Sequence, residues 1–116
     1  MKSVALADLA RLLEGERFPL TTEKTLQSAI AAALTAAGIP FVREHRFSPE
    51  DVVDFWCAPV AIEVKIQGPK RAIYRQCERY CRHADVEALI LATTVPLNLD
   101  RLVKPAAVVN LGRAWL

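Results

Sequence analysis

Within Val60-Ala61-Ile62-Glu63-Val64-Lys65-Ile66 apolar and charged residues alternate, as in a strand whose side chains point to opposite sheet faces. Ile62, Val64 and Ile66 would enter an apolar core, while Glu63 and Lys65 would lie side by side on the other face. By itself such a pair is ordinary on a solvated strand. Asp54 changes its meaning. It stands inside Val52-Val53-Asp54-Phe55-Trp56-Cys57, whose apolar neighbours would bury it, and a buried carboxylate is costly unless it is paired or holds a metal. The link Ala58-Pro59 is short enough to demand an antiparallel hairpin, which brings Asp54 within reach of Glu63. Two converging carboxylates repel each other, and a divalent cation is the usual resolution. Hard oxygen ligands, with no His or Cys among them, predict Mg²⁺ or Mn²⁺ rather than zinc.

Other residues could serve the same chemistry. Residues 69–84 carry Lys70, Arg71, Arg75, Arg79 and Arg82 against the single acid Glu78 before the segment ends, although the whole chain has a net charge of only +2. A confined basic face on a near-neutral protein suggests an anionic partner, and nucleic acid is the commonest. Arg71, Arg75, Arg79 and Arg82 recur at i, i+4, i+8 and i+11, one helix face suited to backbone phosphates or simply to solvent. On the same helix Gln76 and Tyr80 share a face by i,i+4 spacing. Tyr80 should also pack with Ile73, Cys77, Cys81 and Ala84. Glu23 lies on the stripe of Leu26 and Ile30, so it should face the sheet; Glu44 is the competing acid. Cys57, Cys77 and Cys81 are odd in number and lack zinc-knuckle spacing, which reads as reduced core thiols. His45 and His83 are expected in surface or loop positions. Trp56 has the parity of Asp54 and is expected to pack in the core, in a dimer interface or on a base.

The elements that must position these residues follow from periodicity. A chain of 116 residues, 53% of them hydrophobic, is one domain with a real core. No apolar run is long enough to span a bilayer, and Asp8 and Glu14 argue against a secretory leader, so a cytoplasmic location is the default expectation. A helix is expected over residues 3–14, with Val4, Leu6, Leu9, Leu12 and Leu13 as its stripe and Gly15 as its stop. A second follows Thr21 or Thr22 as cap, carries Leu26, Ile30, Ala33, Leu34 and Ala37, and ends at Gly38 and Pro40. Strands are expected over 41–47, 52–57 and 60–66, the first two joined by the turn Ser48-Pro49-Glu50-Asp51. Gly68-Pro69 opens the basic helix. Residues 87–95 read as a strand covered on both faces, 96–104 as loop or short helix, and 106–111 as a last strand. The order α-α-β-β-β-α-β-(β) predicts an α/β (α+β) architecture, a central mixed sheet flanked by helices.

With this order in view, Asp54, eight residues, then Glu63-Val64-Lys65 resembles the signature of the PD-(D/E)XK nuclease superfamily, found in restriction-endonuclease-like folds and Holliday-junction resolvases. Val53 stands where the signature has proline. Gln76-Cys77-Glu78-Arg79-Tyr80 resembles the QxxxY motif of lambda-type exonucleases. The resemblance covers residues 20–111 as the core, with 1–19 as an N-terminal helical extension. It implies a metal-dependent deoxyribonuclease that hydrolyses phosphodiester bonds, in DNA repair, recombination or the processing of mobile or phage DNA. It further implies Mg²⁺ or Mn²⁺ held by Asp54, Glu63, the Val64 carbonyl and Glu23. Lys65 and Gln76 would join Asp54 and Glu63 in catalysis; Lys70, Arg71, Arg75, Arg79, Arg82 and Tyr80 would contact DNA. The alternative is a catalytically inactive module of the same fold that binds DNA or oligomerises. A domain this small would need a symmetric partner to grip duplex DNA, which leaves a homodimer as an open expectation.

Overall fold

A computed structural model describes residues 5–112; the expected start of the first helix, Val4 included, lies outside them. The element order is α1 (Leu6–Glu14), α2 (Glu23–Ala36), β1 (Val42–Arg46), β2 (Val52–Cys57), β3 (Val60–Lys65), α3 (Lys70–Cys81), β4 (Ala88–Thr93) and β5 (Ala106–Asn110). The five strands form one mixed sheet in the order β1-β2-β3-β4-β5. β1, β2 and β3 are antiparallel neighbours, while β3–β4 and β4–β5 run parallel. Each join follows from its connection. The five-residue turn 47–51 and the two-residue link Ala58-Pro59, whose peptide bond is cis, reverse the chain, whereas α3 carries it back to start β4 beside β3.

Both sheet faces are covered. One holds α1 and α2: Leu9, Leu13, Phe18, Leu26, Ile30 and Leu34 pack on Phe55, Ile62, Val64 and Ile90. The segment expected to be an extension is therefore part of the core. The opposite face holds α3 and the β4–β5 connection, where Ile73, Cys77, Tyr80 and Cys81 meet Val53, Ala61, Leu89, Leu91 and Leu99. Covered on both sides, β4 is buried at every position, which its apolar sequence Ala-Leu-Ile-Leu-Ala-Thr allows. Thr22 caps α2, its side chain accepting from the Thr25 N–H at 3.0 Å. Gly68, between β3 and α3, has φ +138, a conformation side chains rarely adopt, and this turn brings the basic helix back over the sheet. Among the described residues, no helix is long and apolar enough to cross a membrane.

The sheet has one irregularity. In a uniform strand Val53 and Phe55 would share a face, yet Val53 belongs to the α3 side and Phe55 to the α1/α2 side. The neighbouring strand makes the same exchange. The Arg43 guanidinium lies 5.4 Å from the Phe55 ring centroid and reaches Gln27 of α2, whereas His45 stacks on Trp56, which packs on the α3 side. Between them Glu44 takes a left-handed conformation, φ +51, unusual for a residue with a side chain. The sheet is thus twisted sharply along a line through Glu44 and Asp54.

Candidate functional site

At that line β2 and β3 part. Their ladder pairs Cys57 with Val60, Trp56 with Ala61 and Phe55 with Ile62, and beyond Phe55 side chains replace it. The Asp54 N–H donates to Glu63 Oε1 at 3.2 Å, and the Val64 N–H donates to Asp54 Oδ2 at 2.8 Å. Two residues further along the β3 edge, the Ile66 N–H donates to Glu23 Oε1 at 3.1 Å. The edge that β2 vacates is therefore taken by the carboxylates of Asp54 and Glu23. The N–H and C=O of one strand residue point the same way, so the Val64 carbonyl also faces this edge, between the two anchored acids. Lys65, the last residue of β3, lies on the same side of the sheet as Glu63, its Nζ 3.8 Å from Glu63 Oε2.

The charges in this cluster are not at ease. Glu63 is 3% exposed, and burial followed by the nearby Asp54 carboxylate pushes its pKa up to about 8, against the pull of Lys65. Burial also raises Asp54, and the charge of Glu23 adds to it, although the Val64 N–H, Lys65 and a bond with Glu63 act the other way. Left to itself, the pair keeps a proton at neutral pH. Hard oxygen donors on Asp54, Glu63, Glu23 and the Val64 carbonyl are the ligand chemistry of Mg²⁺ or Mn²⁺, which would replace that proton. Among the described residues, no three His, Cys, Asp or Glu side chains are already gathered as a metal cluster; the backbone anchors hold these acids along the strand. Glu23 bonds the β3 edge through the Ile66 N–H, while Glu44, the competing acid, is exposed on β1 between the residues paired with Phe55 and Val53.

The predicted helix residues divide into two groups. Gln76 Nε2 donates to Tyr80 Oη at 2.9 Å, and the Tyr80 hydroxyl lies 2.8 Å from the Val52 carbonyl and 3.3 Å from Glu63 Oε1. Gln76 and Tyr80 thus brace Glu63 from the α3 side. Tyr80, expected to meet nucleic acid as well as the core, is 1% exposed and offers it no surface. The row of arginines is not one free face either. Arg79 Nε bonds Asp51 at 3.0 Å, and Arg82 pairs with Glu78 at 3.7 Å. Lys70, Arg71 and Arg75 are exposed and make no ion pair among the described residues.

Sequence reasoning treated Asp51 as a turn residue and His83 as surface, and missed that they meet. Asp51 is buried, accepts from Arg79, and lies 2.8 Å from His83 Nε2, whose ring stacks on Phe47. Burial would raise the Asp51 pKa, but the bonds to His83 and Arg79 outweigh it and hold it below the usual carboxylate range. This latch ties the β1–β2 turn to the end of α3 and so fixes where Val52 and Asp54 begin. A lowered folded pKa stabilises the protein above the unfolded pKa, and that contribution is lost as pH falls through the folded value. Asp51→Asn should cost about 1–2 kcal/mol at pH 7 in urea unfolding, with the difference from wild type shrinking as pH drops below about 4. An unchanged midpoint at pH 7 would remove the latch from the account.

The cysteines sit in the core. Burial pushes Cys57 up to about 11, Cys77 up to about 12 and Cys81 upward, so none is poised as a thiolate. Trp56 is half-buried between His45, stacked at 5.5 Å, and Phe47, edge-on at 5.1 Å. The site is therefore a parted pair of strands lined by Asp54, Glu63, Glu23, the Val64 carbonyl and Lys65, with Gln76 and Tyr80 behind it. Comparison of the chain with protein-family models, with curated proteins and with solved structures returns no match.

Proposed function

We propose that this protein is a divalent-metal-dependent nuclease that hydrolyses phosphodiester bonds in DNA, on a core of the restriction-endonuclease-like kind. The observation that carries the reading is the replacement of the β2–β3 ladder by carboxylates, with Lys65 beside them. A structural ion pair gives no reason to open a sheet; a cation bound along the β3 edge does. The order α2-β1-β2-β3-α3-β4, with the acid of the signature on the second strand of the meander and Glu-x-Lys on the third, agrees with the family that the motif resembles. An intracellular DNA substrate would place the protein in the cytoplasm.

Asp54, Glu63, Glu23 and the Val64 carbonyl would hold one or two Mg²⁺ or Mn²⁺ ions. When bound, the metal supplies positive charge for the phosphate oxygens and makes water more acidic. Burial raises both carboxyls, so Asp54 and Glu63 would give up a proton to hold a cation. Lys65 holds an ammonium at the mouth of the site, where it either orients the attacking water or faces the negative charge that grows on the phosphate. Tyr80 and Gln76 keep Glu63 turned toward Asp54. The test is incubation of the purified protein with supercoiled, linear, branched and single-stranded DNA in Mg²⁺ or Mn²⁺ and in EDTA. Metal-dependent cutting of at least one substrate is expected. If all four stay intact in both metals, the proposal fails.

A further inference from the structure

A second feature of α3 is left over once the site is built. Lys70, Arg71, Tyr74, Arg75 and Glu78, with Leu97 from the β4–β5 connection, line a groove between the helix and that connection. Tyr74 and Gln76 are two residues apart, hence about 200° around the helix, so the groove lies on the flank opposite the one that braces Glu63. It nevertheless lies at the same end of the sheet, beyond the C-terminal ends of the parallel strands β3 and β4. Lys70 begins α3 just after β3 ends at Lys65, and Leu97 follows the end of the parallel strand β4.

The lining has a definite chemistry. Its three cations make no ion pair among the described residues, and its one acid, Glu78, is paired with Arg82. Tyr74 is half-buried, with its ring packed on the α3-side core, and its hydroxyl has no hydrogen-bond partner among the described residues. Cations beside a fixed aromatic ring and an aliphatic wall are what a single strand needs, because its unpaired bases can stack while phosphates meet Lys and Arg. A duplex keeps its bases stacked inside and has no use for the ring.

We propose that this groove binds a single-stranded nucleic acid segment, stacking a base on Tyr74 and taking phosphates with Lys70, Arg71 and Arg75. Resting on the nuclease reading, it leads that strand over the start of α3 toward Lys65, so the preferred substrate carries a single-stranded tail or flap next to the cut.

Fluorescence anisotropy in EDTA, with a labelled blunt duplex, the same duplex carrying an oligo-dT tail, and oligo-dT alone, reads binding without cleavage. Wild type should bind the tailed duplex and oligo-dT more tightly than the blunt one. Tyr74→Leu, which keeps the bulk but not the stacking, should weaken the tailed ligand about tenfold and leave the blunt duplex nearly unchanged. Arg71→Ala/Arg75→Ala alters exposed positions without touching the core. It should flatten the slope of log affinity against log salt for oligo-dT by roughly 0.7 for each charge removed. Equal affinity for blunt and tailed duplex, or wild-type binding of tails by both variants, overturns the groove, even if DNA is cut in Mg²⁺. Tail binding that depends on Tyr74 in a protein that cuts nothing upholds the groove and sinks the nuclease reading instead.

Discussion

Replacing Glu63 with glutamine is expected to abolish metal-dependent DNA cleavage, by on the order of 10³-fold or more, while leaving a folded protein. The amide keeps an oxygen to accept from the Asp54 N–H and the Tyr80 hydroxyl, so the local geometry survives; it removes the charge that a cation needs. The same substitution should change how stability depends on pH. Burial and the Asp54 carboxylate raise the Glu63 pKa to about 8 from an ordinary 4.5. Between those values the metal-free native state holds a proton that the unfolded chain has released. The stability this contributes is fully present below about 4.5 and is lost as pH rises through about 8. Asp54, also raised, adds to the fall. Metal-free wild type should therefore melt at progressively lower temperature from pH 5 to pH 8.5, and Glu63→Gln should show a clearly flatter profile. Since cations compete with that proton, Mg²⁺ should raise the wild-type melting temperature more at pH 8.5 than at pH 5.5. A variant that melts with the same pH dependence as wild type would show that Glu63 is not the strained acid.

Lys65→Ala carries the second large effect. Its ammonium is at the mouth of the site, partly exposed and 3.8 Å from Glu63 Oε2, and without it the buried Glu63 still accepts from the Asp54 N–H and the Tyr80 hydroxyl. Cleavage should fall by about 10²–10⁴ at saturating DNA and Mg²⁺, with DNA affinity within a few-fold of wild type. Lys65→Arg should not restore the rate, since a planar guanidinium cannot take the place of a compact ammonium on a short approach to water or phosphate. Comparable turnover in Lys65→Ala would reduce the residue to a surface ion pair.

How far the sequence carried depended on the range of each interaction. The strand Val52–Cys57 and the helix Lys70–Cys81 lie where periodicity and the breaker Gly68-Pro69 put them, and β3 ends one residue early at Lys65. The meeting of Asp54 and Glu63 was legible because a two-residue link leaves the hairpin almost no freedom of register. Its form was not. Period-two reasoning assumes a uniform strand, and the exchange of faces at Asp54 depends on a left-handed Glu44 that no Gly or Asn announces. The basic helix shows the same limit. Spacing correctly put arginines on the outside, but Asp51, 28 residues earlier in the chain, claims Arg79, and only the fold brings them together. Tyr80 fell on the right helix face for both its expected roles, and the depth of the core left it just one.

On the proposed reading Asp54 and Glu63 share a cation at the opened edge of β3. Electron paramagnetic resonance of free Mn²⁺, titrated with protein at pH 7.5, measures this without DNA or turnover. Wild type should remove Mn²⁺ from solution at a site that excess Mg²⁺ empties, and Asp54→Asn, checked as folded by circular dichroism, should have lost it. Mn²⁺ bound equally by wild type and Asp54→Asn, or by neither, would contradict the claim.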